Sequence, residues 1–178
     1  QYRQNLIDTA QTIIQHMRSN NIDTAGMQAL NERYGGKNIG RNREMLQLIE
    51  PLYHAYVQNF ATNNGIDFPG MIVDAISCVN NGSYRHPYKY VLIDEYQDMS
   101  RPRYELIRAL RLQHDFSLFC VGDDWQSIYR FAGSDIHLIL DFDRIWRDWG
   151  PTRMFQITTT RRFRQSLIDA SGTFVMRD

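Results

Sequence analysis

The sequence predicts an α/β protein in which a helical N-terminal region precedes a parallel β-sheet. From Tyr88 onward, short apolar runs alternate with segments of helical periodicity, as in sheets whose parallel strands are joined by helices. The first 64 residues show helical periodicity only. Hydrophobic residues make up 43% of the 178 and charged residues 22%, which fits an ordinary globular core.

Three helices are expected in the N-terminal region. The first is marked by apolar side chains three to four residues apart, namely Leu6, Ala10, Ile13, Ile14 and Met17. A polar stretch over 19–24 ends it, and a short helix is expected around Met27 and Leu30. Three glycines within 34–40 predict a loop, and apolar spacing over 45–60 predicts a longer helix after it.

A fourth helix is predicted just before the sheet. Asn63-Asn64-Gly65 ends the preceding helix, and Asp67 is a residue type that commonly caps a helix N-terminus. Pro69 suits the first turn that follows. Apolar side chains recur at helical spacing over 71–79 and predict one buried face.

Short apolar runs predict three strands, at 90–93, 118–121 and 154–157. The first two lack alternation, which is typical of strands buried on both faces. Helices are expected between the runs, the first beginning at Ser100 and the second over 135–149 with an aspartate as its cap. A last helix follows the third run.

Two adjacent acids, Asp94 and Glu95, follow the first predicted strand. Ligands of open α/β sheets bind beyond the carboxyl ends of the strands, where neighbouring carboxylates are costly without a cation or a shared proton. Nucleotide hydrolysis uses such a pair, one acid to hold Mg²⁺ and the other to orient or deprotonate the attacking water. The alternative is a capped turn with solvated acids.

The turn after the second strand contains a glutamine and two aromatic residues. The amide of Gln126 donates and accepts hydrogen bonds, so it is able to read a γ-phosphate without titrating. Tyr129 and Phe131 offer flat faces on which bases stack, although the same rings could instead fill the core. Gly122 is expected to permit a tight exit from the strand.

Three arginines, Arg161, Arg162 and Arg164, stand just before the last predicted helix. A helix N-terminus disfavours cations, so the cluster indicates either a bound anion or a solvated basic turn.

The segment DEYQD, residues 94–98, resembles motif II of superfamily 1 DNA helicases of the UvrD/Rep class. The resemblance implies that Asp94 binds Mg²⁺ and that Glu95 activates water. It also implies that Gln97 and Asp98 link the site to neighbouring motifs.

The segment GDDWQSIYRFAG, residues 122–133, resembles motif III of the same class. The resemblance implies that Gln126 senses the γ-phosphate of ATP and that Tyr129 and Phe131 face single-stranded DNA. Ala132 stands where the family usually has arginine, which leaves one DNA or interdomain contact in doubt.

The segment TRRF, residues 160–163, is a looser version of the NYRS-like motif IV. The resemblance implies that Arg162 is the arginine that stabilises charge at the γ-phosphate during phosphoryl transfer. The segment 67–76 is similar to the DFxDL stretch that precedes motif II in the family.

The resemblance implies a fragment of a RecA-like P-loop NTPase motor with an N-terminal helical subdomain. Residues 1–64 would form the helical accessory subdomain, 65–150 the C-terminal part of the first motor domain, and 151–178 the start of the second. No GxxxxGK[ST] segment occurs, so the Walker A loop is absent. We therefore expect the chain alone to hydrolyse ATP negligibly, whereas the parent protein is expected to be an ATP-dependent DNA helicase that uses ATP and Mg²⁺.

Charge and composition set the expected partners and compartment. Lys and Arg together number 20, as do Asp and Glu, so either contact with single-stranded or duplex DNA comes from a local site or the chain carries only part of the DNA-binding surface. No stretch approaches the ~20 apolar residues that span a membrane. The two cysteines lack the spacing of metal ligands and predict buried, reduced thiols. A cytoplasmic location is expected, and the oligomeric state is left open.

Three alternative functions are compatible with the same residues. The motor could belong to a helicase–nuclease, which would need further carboxylates elsewhere. A metal-dependent phosphohydrolase would use Asp94, Glu95 and Asp98 directly and would need no phosphate loop. A non-catalytic interaction module derived from a motor would use none of them.

Overall fold

The computed structural model describes residues 2–175, with the backbone alone for Tyr2 and Phe131. The chain forms two compact units that divide between residues 142 and 143, and each is described by itself. The described chain is mostly helical and contains one two-stranded parallel sheet. The predicted helical N-terminal region and the parallel pairing are present. A full RecA-like sheet is not, because the described residues supply only two strands.

Four helices form the N-terminal part of the first unit: α1 (Tyr2–Ser19), α2 (Thr24–Tyr34), α3 (Ile39–Thr62) and α4 (Phe68–Asn80). Helices α1 and α3 share an apolar cluster made of Ala10, Ile14, Met17, Ile49 and Tyr53. The predicted stripe of α1 is therefore buried over its second half. Leu6, at its beginning, remains 52% exposed.

The glycine-rich corner between α2 and α3 is more ordered than the predicted loop. Gly36 adopts a φ of +50°, and a 3-10 turn over Gly36–Asn38 leads directly into α3. The Nδ2 group of Asn31 donates to the backbone oxygen of Ile39 at 2.9 Å, and the N–H of Gly35 donates to the oxygen of Asn31 at 2.7 Å. Helix α3 therefore starts at Ile39, earlier than the apolar spacing indicates.

An ion pair with little solvent exposure fastens α4 to α1. Arg18 donates to Asp67 from Nε at 2.9 Å and from Nη2 at 2.7 Å, and the Asp67 side chain is 9% exposed. Asp67 also accepts from the N–H of Gly70 at 2.8 Å, as the predicted N-cap, and from the hydroxyl of Tyr56 at 3.2 Å. The hydrogen bonds from Arg18 hold the pKa of Asp67 below its ordinary value, although burial acts in the opposite direction. One carboxylate thus joins α1, α3 and α4.

The sheet consists of β1 (Tyr90–Ile93) and β2 (Ser117–Cys120), which α5 (Arg101–Gln113) connects. Both strands lie where the sequence predicts them, within one residue. The prediction that they are buried on both faces is wrong for the described chain, because Leu92 is 72% exposed and Phe119 57% exposed. Alternate side chains of each strand are half-buried, and the others are exposed.

The predicted helix over 135–149 is broken into three pieces: α6 (His137–Leu140), α7 (Phe142–Ile145) and a 3-10 turn over Arg147–Trp149. Asp141 ends α6 because its backbone, at φ −102° and ψ 23°, leaves the helical region. Asp135 still acts at the beginning of α6, where its carboxylate accepts from the N–H of His137 at 3.1 Å. The other oxygen of Asp135 pairs with Arg101 at 2.6 Å.

The second unit contains the predicted last helix, α8 (Gln165–Val175). The strand predicted at 154–157 is wrong, since residues 151–161 have no regular structure. Phe155 is 80% exposed and Ile157 88% exposed. A strand needs a neighbour for its backbone N–H and C=O groups, and no described segment pairs with this one.

Both cysteines are free thiols. The expectation of burial is wrong for Cys78, which is exposed on α4, whereas Cys120 on β2 is half-buried. Burial raises the pKa of Cys120 to about 12. Among the described helices, none is both long enough and apolar enough to cross a membrane.

Candidate functional site

The two strands end side by side, and their pairing continues into the segments that follow. The N–H of Val121 donates to the oxygen of Ile93 at 2.8 Å, and the N–H of Tyr96 donates to the oxygen of Val121 at 2.8 Å. Parallel strands have their carboxyl ends at the same edge of a sheet. The segments 94–98 and 122–126 therefore lie next to each other.

The acids Asp94 and Glu95 are exposed at this edge. Glu95 has a left-handed backbone, with φ 50° and ψ 44°, which costs a non-glycine residue about 1–3 kcal/mol. The N–H of Glu95 donates to Asp94 Oδ1 at 2.9 Å, and the oxygen of Glu95 accepts from the N–H of Asp98 at 2.9 Å. The chain thus bends sharply, directly after the acids, into a 3-10 turn over Tyr96–Asp98.

Gln97 lies between the two segments and is 2% exposed. Its Nε2 donates to Glu95 Oε2 at 2.7 Å, and its Oε1 accepts from the N–H of Asp123 at 3.0 Å. Its backbone oxygen accepts from the hydroxyl of Ser127 at 3.5 Å. The link to a neighbouring motif that the resemblance implied for Gln97 is therefore present as hydrogen bonds.

Gly122 provides the space that Gln97 occupies. A Cβ at this position would lie 2.8 Å from Gln97 Oε1, 3.1 Å from the Gln97 backbone nitrogen and 3.0 Å from Ile139 Cδ1. The backbone of Gly122 does not have a positive φ. Close approach, rather than the predicted tight exit from the strand, is the reason for glycine here.

Gln126 ends a 3-10 turn over Asp124–Gln126. Its Nε2 donates to Asp123 Oδ2 at 2.6 Å, and the N–H of Trp125 donates to the other Asp123 oxygen at 3.2 Å. Gln126 and Glu95 are thereby connected, through Asp123 and Gln97, at one edge of the sheet. Asp123 also belongs to this network, and the resemblance to motif III had implied no role for it.

The next turn, Tyr129–Ala132, carries the predicted DNA-facing aromatics. Tyr129 is 46% exposed, so its ring does not fill the core, while the side chain of Phe131 lies outside the described part of the structure. Gly133 ends the turn with a φ of +93°, and a Cβ there would lie 3.0 Å from the Cβ of Ser19 in α1. The turn therefore lies against α1, and Ala132 is exposed.

Arg162 belongs to the second unit, in a bend that precedes α8. Its N–H donates to the hydroxyl of Thr160 at 3.4 Å. Arg161, Arg162 and Arg164 are all exposed, as in a solvated basic turn. The role of Arg162 at a nucleotide stays a prediction.

The donor set at the sheet edge suits a magnesium ion that is bound together with a nucleotide. Mg²⁺ commonly takes one or two protein carboxylates and completes its shell with phosphate oxygens and water. Asp94 offers one such carboxylate. Within residues 2–175, no three His, Cys, Asp or Glu side chains form a group able to hold a metal by themselves, so Asp98 does not form a three-acid group with Asp94 and Glu95.

Comparison with known proteins gives a family match over most of the chain. Residues 2–146 match the family model described as the UvrD/REP helicase N-terminal domain. The match includes the N-terminal helices, in which no motif is recognisable. It ends before Arg162.

Several bacterial helicases are similar to the chain. DNA helicase IV of Escherichia coli is 35% identical over 134 residues, which are 75% of this chain and 19% of that protein. ATP-dependent DNA helicase UvrD1 of Mycobacterium bovis is 30% identical over 76% of the chain and 18% of its own length. ATP-dependent DNA helicase PcrA of Bacillus subtilis is 34% identical over 55% of the chain and 14% of its own length. The chain spans about a fifth or less of the length of these relatives.

Proposed function

The chain belongs to the UvrD/REP helicase N-terminal domain family, and we propose that it carries the ATP-hydrolysis and DNA-coupling residues of an ATP-dependent DNA helicase. Such a protein translocates along single-stranded DNA and unwinds duplex DNA through RecA-like motor domains. The observation that carries the proposal is the hydrogen-bonded connection between Glu95 and Gln126 at the ends of two parallel strands.

Hydrolysis in this proposal divides between the two acids. Asp94 holds Mg²⁺, and Glu95 orients or deprotonates the attacking water. Mg²⁺ bound together with ATP would neutralise part of the negative charge on the phosphates. The exposed position of both acids at the sheet edge supports these roles, because a nucleotide bound beyond the strands reaches them directly.

In this proposal the segment after β2 senses the nucleotide and couples its state to DNA. The neutral amide of Gln126 hydrogen-bonds the γ-phosphate, and Tyr129 and Phe131 stack on bases of a single strand. The exposed ring of Tyr129 supports this, since it lies only three residues beyond Gln126. Arg162 stabilises the charge that develops during phosphoryl transfer.

The test is Glu95→Gln in a complete helicase chain that contains this sequence together with a phosphate-binding loop. Loss of a general base lowers kcat for ATP hydrolysis by about 10²–10⁴-fold, while ATP binding is retained. Glu44→Gln is the matched control, because Glu44 is an exposed acid of α3. Hydrolysis that survives Glu95→Gln unchanged would exclude the proposed role of the acid pair.

The metal-dependent phosphohydrolase alternative makes a different prediction. It requires Mg²⁺-dependent turnover by the 178-residue chain alone, with Asp94, Glu95 and Asp98 sharing the metal. The lack of a three-acid metal group in the described chain counts against it. An interaction module would show no hydrolysis even in the complete chain.

A further inference from the structure

Gln97 is the buried side chain that connects the two halves of the candidate site. An amide has a donor end and an acceptor end in one rigid plane. In Gln97 the donor end contacts the Glu95 carboxylate at 2.7 Å, and the acceptor end contacts the N–H of Asp123 at 3.0 Å. A shift of the segment after β2 therefore changes the hydrogen bond that Glu95 receives.

Two further observations indicate that neighbouring residues keep the Gln97 amide in this position. Gly122 leaves the amide its space, because a Cβ there would lie 2.8 Å from Gln97 Oε1. Glu95 keeps a left-handed backbone, a conformation that persists only where surrounding contacts hold it. Donation from Gln97 is one of those contacts.

We propose that Gln97 is a positioning residue that transmits the state of Gln126 to Glu95. The inference rests on the proposed function, because it concerns the same hydrolytic step. Gln126 donates to the Asp123 carboxylate, and the backbone of Asp123 donates to Gln97, so movement of Gln126 reaches Glu95 through three hydrogen bonds. With one oxygen of Glu95 occupied by Gln97, the other is left to orient water.

The same hydrogen bonds explain how DNA binding affects the position of Glu95. Tyr129 follows Gln126 by three residues, so a base stacked on Tyr129 displaces the segment that holds Asp123. Gln97 passes that displacement to Glu95. The specific consequence is that Gln97 sets the stimulation of hydrolysis by DNA and not the affinity for ATP.

The experiment uses a complete helicase chain that contains this sequence and a phosphate-binding loop, with two variants of Gln97. Gln97→Glu keeps the size and the acceptor for Asp123, but it places a carboxylate oxygen against Glu95. Gln97→Met removes both hydrogen bonds. ATP binding is measured with a fluorescent ATP analogue, and kcat is measured with and without a thymidine oligonucleotide.

Gln113→Glu is the matched control. Gln113 also uses both ends of its amide, since its Nε2 donates to the oxygen of Tyr84 at 2.6 Å and its Oε1 accepts from the N–H of His86 at 3.2 Å. It belongs to α5 and has no contact with the candidate site among its hydrogen bonds. A loss of activity that only reflects reduced stability therefore appears in Gln113→Glu as well as in the Gln97 variants.

Both Gln97 variants are expected to lower DNA-stimulated kcat by about 10- to 100-fold, as small misplacements of catalytic groups do. The dissociation constant for the ATP analogue stays within about threefold, because no ground-state contact is lost. The ratio of kcat with DNA to kcat without DNA falls toward one. Gln113→Glu leaves that ratio at the wild-type value, whatever it does to the melting temperature.

Gly122→Ala provides a second route to the same displacement, in case substitution of Gln97 prevents folding. Its added Cβ pushes Oε1 away from Asp123, so it is expected to reduce the DNA stimulation ratio in the same direction. The proposal is overturned when folded Gln97 or Gly122 variants keep wild-type stimulation while Glu95→Gln abolishes hydrolysis. Failure of Glu95→Gln to affect hydrolysis overturns the proposed function as well, so the two failures are distinct.

Discussion

The ion pair between Arg18 and Asp67 is expected to be the polar interaction whose loss costs this chain most stability. Asp67→Asn removes its charge while keeping the shape of the side chain. The retained oxygen is still able to cap α4 through Gly70, but the new NH₂ group faces donors of Arg18 and Tyr56. The substitution therefore leaves an arginine, only 21% exposed, without its counter-charge.

The expected magnitude follows from this geometry. Hydrogen bonds to charged groups contribute about 1.5–3 kcal/mol each, and breaking a buried ion pair costs about 3–5 kcal/mol. Arg18 retains some contact with water, so the lower part of that range applies. We expect Asp67→Asn to lower the free energy of unfolding by about 3 kcal/mol.

Asp23→Asn is the matched control for the capping function. Asp23 caps α2 by accepting from the N–H of Gly26 at 2.8 Å, but it is exposed and has no arginine among its hydrogen-bond donors. Asparagine is about as good an N-cap as aspartate, so this change should cost about 0.5 kcal/mol or less. Urea unfolding of the 178-residue chain, followed by far-ultraviolet circular dichroism, measures both. Equal losses of unfolding free energy in the two variants would show that the ion pair adds nothing beyond the capping hydrogen bond.

The pH dependence of the stability difference between wild type and Asp67→Asn tests whether that difference is electrostatic. Arg18 holds the pKa of Asp67 below the ordinary value, so the ionised carboxylate contributes stability at pH values above about 4. That contribution is lost as the pH falls through the folded-state pKa. The stability gap between wild type and Asp67→Asn should be constant from about pH 7 to 5 and should narrow below about pH 4. A gap that widens on acidification would contradict the sign.

Three further predictions concern other parts of the chain. Because Glu95 has a φ of 50°, Glu95→Gly should be more stable than Glu95→Ala by about 1 kcal/mol in urea unfolding, although both remove the carboxylate. Iodoacetamide at neutral pH should alkylate exposed Cys78 and spare Cys120, whose pKa is raised to about 12, with two labels appearing by mass spectrometry only in denaturant. The 178-residue chain should release no phosphate from ATP above background in a colorimetric assay, since it contains no GxxxxGK[ST] segment, and steady turnover would contradict this.

Much of the helical structure could be predicted because its signals are local. The cap at Asp67 and the break before α2 depend on residues within one turn of each other. The start of α3 could not be predicted, since it depends on Asn31, which lies eight residues earlier and donates a hydrogen bond to the backbone oxygen of Ile39. The prediction of one helix over 135–149 was wrong because apolar spacing does not indicate that the backbone leaves the helical region at Asp141.

The candidate site was predictable as far as strand ends determine it. Asp94, Glu95 and Gln126 follow apolar runs, and parallel pairing brings such positions together regardless of the residues between them. The function of Gln97 was not accessible in this way. Its partners, Glu95 and Asp123, are two and 26 residues distant, and the resemblance implied a link to neighbouring motifs without identifying these partners.

Residue type and short spacing were enough to predict the family resemblance, the order of α1 to α5 with β1 and β2, and the positions of the acids and the glutamine at the strand ends. Three features became evident only in the folded chain: Gln97 is buried between two motifs, Gly122 leaves the space that Gln97 occupies, and residues 154–157 do not form a strand. Burial of a polar amide and pairing of a strand both require partners distant in the chain. Those partners are brought close only by folding.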